Sequence, residues 1–287
     1  MLSYFQAIIF GLVQGITELF PISSLGHSVV LPSALNWNIK QNDPFFLTFL
    51  VATHTATALV LFLFFWKDWK RIISGLFRSL KEREIKNSDH DAQLGWLLIV
   101  ATIPAGVLGL LFEEPLKILF ASPRLVAFVL ILNGLLLFTA EKIAKKNIKK
   151  KQEELGSDER ITKLTWGESI KVGLLQSLAL IPGFSRTGSA LIGGLLTGLS
   201  HEDAARFSFL LATPIIAAAS VLKLPELTTP SDSQVLGPIL TGAVVAGVAS
   251  YFSVRFLTKY FESNKLTPFA IYCVIIGAIF SLLFFLR

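Results

Sequence analysis

Gly11-Leu12-Val13-Gln14-Gly15-Ile16-Thr17-Glu18-Leu19-Phe20-Pro21-Ile22-Ser23-Ser24-Leu25-Gly26-His27 places an amide, a carboxylate, two adjacent hydroxyls and an imidazole inside a strongly apolar N-terminal region. A second stretch matches it 162 positions on: Gly173-Leu174-Leu175-Gln176-Ser177-Leu178-Ala179-Leu180-Ile181-Pro182-Gly183-Phe184-Ser185-Arg186-Thr187-Gly188-Ser189. The two copies share Gly, Leu, Gln, Ser and Gly. Where the first has Glu18 and His27 the second has Leu180 and Ser189, and it adds Arg186.

Around these segments the chain reads as membrane scaffold. It is 53% hydrophobic and 16% charged, with a mean hydropathy of +0.63, too apolar for an ordinary soluble domain. Apolar runs near 46–66, 94–112, 122–141, 204–223, 236–257 and 266–286 each approach the 20 or so residues that a bilayer requires. Residues 4–20 and 24–35, broken at Pro21, form a shorter pair, and 168–182 and 185–199, broken at Pro182-Gly183, form another. An arm of about 12 residues spans only about 18 Å, so each pair is expected to dip into the membrane and return. Such backbone is tolerated at membrane depth where protein or a water-filled cavity surrounds it. The expected fold is all-α and polytopic, with six transmembrane helices plus two re-entrant helical hairpins in one integral membrane domain, 1–287.

The repeat extends beyond the hairpins, since Thr48-Phe49-Leu50-Val51-Ala52-Thr53 matches Ser208-Phe209-Leu210-Leu211-Ala212-Thr213. Halves of about 1–141 and 164–287 each hold one hairpin and three spans. An odd number of spans inverts the second copy, and inverted-topology repeats place broken helices and a binding site near the midplane.

The stretch 67–93, read as a loop, carries seven basic residues and 142–167 carries eight, whereas 113–121 has only Lys117 and 224–235 has none. The positive-inside rule puts the basic loops in the cytoplasm and both termini outside. The formal charge of +6 is thereby explained by topology, and no nucleic-acid partner is expected. Trp37, Trp66, Trp69, Trp96 and Trp166 fall at segment ends, as interfacial rings do. Lys and Arg are absent before Lys40, so the N-terminus lacks the basic flank of a cleaved signal and is expected to be retained. The single Cys273 excludes an intrachain disulfide and argues against a cysteine metal site.

Gln14 and Glu18, four apart, share a helix face close to Gly11 and Thr17. A carboxylate inside an apolar segment is expensive and marks function. After Pro21, Ser23 or Ser24 caps the next helix, whose N-terminal amides and dipole suit an anion. His27 lies one turn in. In the second hairpin Ser185 can cap, and the guanidinium of Arg186 offers paired donors matched to phosphate oxygens. Thr187 and Ser189 add hydroxyls, while Gly188, Gly193, Gly194 and Gly198 allow close helix approach. Together these residues make a phosphoryl-transfer set: a serine nucleophile, a histidine acid or base, and an arginine for the phosphoryl charge. Glu18 with Gln14 could hold a hard divalent cation. A nucleotide cradle is excluded, because no GxxxxGK[ST] occurs.

At these residues the chain resembles the bacterial undecaprenyl-diphosphate phosphatase family, also called the bacitracin-resistance family. Its signatures are (E/Q)xxxE running into PxSSxGH, and PGxSRSGxT. Here they read Gln14-Gly15-Ile16-Thr17-Glu18, Pro21-Ile22-Ser23-Ser24-Leu25-Gly26-His27 and Pro182-Gly183-Phe184-Ser185-Arg186-Thr187-Gly188-Ser189. The resemblance implies hydrolysis of undecaprenyl diphosphate to the monophosphate and inorganic phosphate, assisted by Mg²⁺ or Ca²⁺. The reaction would lie at the outer face of a bacterial inner membrane, recycling the cell-wall lipid carrier and conferring bacitracin resistance. It assigns Ser24 as nucleophile, His27 as its partner, Glu18 and Gln14 as the acidic-motif pair and metal ligands, and Arg186 as phosphate clamp, while a covalent phosphoserine, a phosphohistidine and a metal-bound water all stay open as routes. Thr17, Ser23, Ser185, Thr187, Gly188 and Ser189 complete the expected substrate pocket. Two departures are the amide at Gln14 and Thr187 in place of serine. The alternative reading is a polyprenyl-phosphate transporter or flippase, since inverted repeats with broken helices are a transporter architecture. Membrane lipids are expected partners, and the sequence leaves a homodimer open.

Overall fold

The computed structural model describes residues 2–39, 43–112, 116, 122–147, 156–227 and 233–286, and their regular structure is entirely helical. Helix α1 (Tyr4–Thr17) starts in a capping box: Ser3 Oγ accepts from Gln6 N at 3.2 Å, and Gln6 Oε1 accepts from Ser3 N at 2.9 Å. The helix ends ahead of Pro21, which disfavours helical backbone at the residue before it. Ser23 then sits in the left-handed region at φ 68° and opens α2 (Ser24–Ala34), its Oγ accepting from Gly26 N at 3.1 Å. At about 1.5 Å per residue neither helix reaches across a bilayer.

Helix α3 (Pro44–Phe64) is the first long apolar helix and passes through Phe65 directly into α4 (Trp66–Glu82). The basic stretch after α3 is therefore a helix over most of its length, not a loop. Ile72, Ile73, Leu76, Phe77 and Leu80 recur at helical spacing. An averaged hydropathy hides that stripe among the Lys and Arg residues. Arg83, left-handed at φ 56°, ends the helix, and Asp89 caps α5 (His90–Leu111) by accepting from Ala92 N at 3.1 Å.

Helix α6 (Pro123–Asn147) runs into the second basic stretch, whose residues 148–155 lie outside the described ones. A short α7 (Ser157–Thr162) follows, with Arg160 held to Asp203 by contacts of 2.5 and 2.8 Å. Helix α8 (Trp166–Gln176) runs into a 3₁₀ turn, Ser177–Leu180. Gly183 takes φ 108° at the break. Ser185 then caps α9 (Arg186–Leu196), accepting from Gly188 N at 3.0 Å. The chain closes with α10 (His201–Leu227), α11 (Ser233–Tyr260) and α12 (Thr267–Phe285). Among the described residues six helices are long and apolar enough to cross a membrane, over Phe45–Phe64, His90–Leu111, Pro123–Ala144, His201–Leu222, Leu236–Tyr260 and Thr267–Phe285. They coincide with the six expected spans. The weakly charged stretches 113–121 and 224–235 fall largely outside the described residues.

Packing crosses between the halves. Helix α3 lies against α10, and α6 against α12. Helix α1 packs on α11, with Gly11 so close that a Cβ would strike the Gly242 carbonyl. Helix α8 packs on α5 in the same way, Gly173 meeting the Ala101 carbonyl. The two breaks also touch reciprocally: Gly26 abuts Gly183, and Gly188 abuts Pro21. Both pairs hold equivalent positions of the sequence repeat, so the ends of α2 and α9 and the two breaks form one buried junction.

Candidate active site

Glu18 is the centre of that junction. It follows α1 directly, is 5% exposed, and accepts donors on both carboxylate oxygens. Oε1 receives Nη2 of Arg186, the first residue of α9. Oε2 receives the Ser24 hydroxyl and, at 3.0 Å, Nε2 of Gln14. Gln14 reaches it because four residues along α1 return to the same face. An ionised carboxylate is acceptor-only, which is what this set of donors requires.

The histidine that meets Glu18 is His54, from the middle of α3. Its Nε2 lies 3.1 Å from Glu18 Oε2. Its Nδ1 lies 2.7 Å from the Leu50 carbonyl, so Nδ1 carries a hydrogen. Nε2 therefore faces a carboxylate oxygen. No motif pointed to His54, which stands 36 positions from Glu18 in an apolar run.

His27 is placed differently from the expectation that it pairs with Ser24. Its Nδ1 is 2.7 Å from the Ser23 carbonyl and its Nε2 is 2.9 Å from the Tyr272 hydroxyl. Its ring also stacks on Tyr272, with centroids 5.7 Å apart. The Ser24 hydroxyl bonds to Glu18 instead. Ser24 and His27 share the first turn of α2, yet their functional atoms have separate partners.

Most of the other expected pocket residues build the walls. Ser23 and Ser185 are the two caps, and Ser185 Oγ also donates to the Phe20 carbonyl at 3.3 Å. Thr187 Oγ1 donates to the Glu18 carbonyl at 2.8 Å, tying α9 to the end of α1. Thr17 Oγ1 returns to the Val13 carbonyl at 2.6 Å. Ser189 Oγ is buried without a hydrogen-bond partner among the described residues. The hydroxyls committed to backbone hold the breaks in shape, leaving Ser24 as the one aimed at the carboxylate.

Asn133 of α6, fully buried, joins the two breaks. Its Nδ2 donates to the Pro21 carbonyl at 3.1 Å, and its Oδ1 accepts from Ser185 N at 3.0 Å. Cys273 Sγ lies 3.3 Å from the same Nδ2. At the breaks the Pro21 carbonyl and the Ser185 amide lie outside the helical ladders, and one amide side chain serves both, with Cys273 Sγ also 3.8 Å from the Pro21 carbonyl.

The chemistry of the junction follows from charge and geometry. Arg186 also donates to the Ala212 carbonyl at 3.1 Å, which fixes its guanidinium and leaves further N–H groups for a ligand. The first amides of α2 and α9 precede their helices' hydrogen-bond ladders and are available to an anion. A hydroxyl on a carboxylate, next to an arginine and two helix N-termini, suits nucleophilic attack on phosphorus. The donor set also suits a hard divalent cation: Gln14 Oε1 is buried without a partner beside the Glu18 carboxylate. Among the described residues no group of three His, Cys, Asp or Glu could hold a metal by itself, so phosphate oxygens and water would have to complete the coordination.

The chain is similar to known proteins over nearly its whole length. A family model described as "Bacitracin resistance protein BacA" matches residues 7–279. The chain is 42% identical, over 96% of its length and 95% of the relative, to an undecaprenyl-diphosphatase of Mycolicibacterium paratuberculosis. It is 44% identical to one from Acidiphilium cryptum, over 95% of both chains. An undecaprenyl-diphosphatase 2 of Burkholderia ambifaria is 43% identical over 97% of this chain and 96% of the relative.

Proposed function

The chain belongs to the bacitracin resistance protein BacA family, and from that membership and its site we propose that it hydrolyses undecaprenyl diphosphate to undecaprenyl phosphate and inorganic phosphate. The observation that carries the chemistry is the hydrogen bond from Ser24 Oγ to Glu18 Oε2, with Arg186 on the other carboxylate oxygen. Ser24 Oγ attacks the terminal phosphorus while its proton passes to Glu18. The P–O bond to the bridging oxygen breaks, and the lipid monophosphate leaves. Water then hydrolyses the phosphoserine, releasing phosphate and restoring the serine. Arg186 and the first amides of α2 and α9 take up the negative charge of the phosphoryl oxygens.

Glu18 and Gln14 would hold Mg²⁺ or Ca²⁺, which when bound neutralises charge on the diphosphate. His27 is held by the Ser23 carbonyl and Tyr272 beside the cap of α2. From there it fixes the turn that carries Ser24. Transport of a polyprenyl phosphate would use Arg186 but has no need of a hydroxyl on a carboxylate, and that contact is what favours hydrolysis.

The protein is a multi-pass membrane protein, as its six apolar helices and its family indicate. In our reading α1–α2 and α8–α9 are re-entrant hairpins that enter from opposite faces, and the two halves form an inverted repeat. The reciprocal contacts of Gly26 with Gly183 and of Gly188 with Pro21 support this. The basic stretches face the cytoplasm, and the site opens to the periplasmic or extracellular side of the inner (plasma) membrane, where spent lipid carrier is recycled for cell-wall synthesis.

The test is phosphate release by the purified protein from a long-chain prenyl diphosphate with Mg²⁺. Wild-type protein should release one phosphate per lipid, and Ser24→Ala and Arg186→Ala at least a hundredfold more slowly. Undiminished release by both variants would remove the assigned chemistry.

A further inference from the structure

We propose that α4 is an interfacial helix whose exposed side binds anionic phospholipid, with its apolar stripe among the acyl chains and a row of lysines on the headgroup phosphates. The helix has 17 residues, too few to span. It docks through the buried Ile72, Gly75 and Ser79, and Gly75 meets the start of α5 at Asp91 and Ala92. A second side is left bare. Trp66, Ile73, Phe77 and Leu80 fall within one arc of the helix and are 50, 39, 70 and 58% exposed.

Beside that arc, at 100° per residue, run Lys70, Lys81 and Lys67. All three are exposed, and among the described residues none forms an ion pair. The other basic residues of α4 are paired. Arg71 meets Asp68 and Asp158 at 2.9 Å, and Arg78 meets Asp89 at 2.6 Å. An exposed apolar stripe flanked by unpaired lysines is the signature of a helix lying in the headgroup plane. Phe65 alone separates α4 from the apolar α3, so the helix begins at the membrane boundary, with Trp66 as its first residue. A second protein copy or a neutral surface would leave the lysine row unexplained. The anionic leaflet satisfies both features, since long lysine stems lie along apolar surface while their heads reach phosphate.

The experiment uses the full-length protein in detergent. Phosphatidylglycerol or phosphatidylcholine is added, and the melting temperature and phosphatase activity are followed. Phosphatidylglycerol should raise the melting temperature of the wild type and phosphatidylcholine should not. Each lysine near the surface contributes about fivefold in binding. The triple variant Lys67→Gln/Lys70→Gln/Lys81→Gln should therefore need at least tenfold more phosphatidylglycerol for half of the effect. Unchanged activity in detergent serves as its control for folding. A charge-keeping variant, Lys67→Arg/Lys70→Arg/Lys81→Arg, should respond like wild type. Equal stabilisation by the two lipids, or an equal loss in both triple variants, would overturn the assignment. A fluorophore on Phe77→Cys should be quenched by brominated lipid and shielded from iodide; the reverse pattern would equally overturn it.

Discussion

The hydroxyl of Ser24 donates to the carboxylate of Glu18, across the break between α1 and α2. They are six positions apart in sequence, and the break at Pro21 lets them meet. The same carboxylate binds Arg186 from the other half of the chain. The proposed nucleophile, proton acceptor and phosphate clamp are thus linked through one side chain.

Glu18→Gln keeps the size of that side chain and removes its ability to take the proton. Turnover should fall at least a hundredfold, as for Ser24→Ala. The double variant should be little worse than either single one, because residues acting as a unit are strongly non-additive. Additive losses, measured as phosphate release, would show that the two act separately.

His54 holds the oxygen of Glu18 that also accepts from Ser24. Replacing it with alanine should lower kcat about tenfold or more, the scale expected when a charge-assisted hydrogen bond of about 1.5–3 kcal/mol is lost. KM should change little, since His54 meets the carboxylate rather than the lipid. The same loss in a Glu18→Gln background would contradict a role exerted through Glu18.

Asn133 is the tie between the two breaks, and its loss should show in stability before chemistry. Asn133→Leu leaves the Pro21 carbonyl and the Ser185 amide without that partner. Each buried unsatisfied group costs about 1–3 kcal/mol. The variant should melt several degrees below wild type, whereas an unchanged melting temperature would mean that the breaks are held by other contacts.

These residues also show how far the chain could be read. The six spans were legible because hydropathy integrates over a whole helix. The breaks were legible because proline, glycine and capping serine act locally, and Ser23 and Ser185 cap as their positions imply. Helix α4 was hidden because its apolar residues are outnumbered in any averaged window, although their helical spacing was present. His54, Asn133 and Tyr272 were not legible at all. Each acts on a residue distant in sequence, and a lone polar group in an apolar helix carries no sign of what it will face. The contact of Ser24 with Glu18 is of the same kind, since tertiary packing brings the carboxylate across the break while His27 turns to the Ser23 carbonyl.

Outside the spanning segments, Asp89 offers a test with a defined pH dependence. Hydrogen bonds from Arg78 at 2.6 and 2.7 Å hold its carboxyl below the usual range, opposed in part by burial and aided by the Ala92 amide. A carboxyl depressed in the folded state stabilises above its unfolded value of about 3.9, and that contribution is lost as pH falls through the lower folded value. Asp89→Asn should therefore melt below wild type at pH 7, and the gap should close only under about pH 4. A gap that widens on acidification would contradict the pairing.

The most direct test of the proposed reaction is to trap the enzyme during turnover with a prenyl diphosphate labelled on its terminal phosphate. Acid quenching, proteolysis and mass spectrometry would then locate the label. The geometry at Glu18 predicts phosphoserine at Ser24, formed in wild type and absent in Ser24→Ala. A phosphohistidine at His27, or full turnover with no phosphorylated residue at any time, would contradict it.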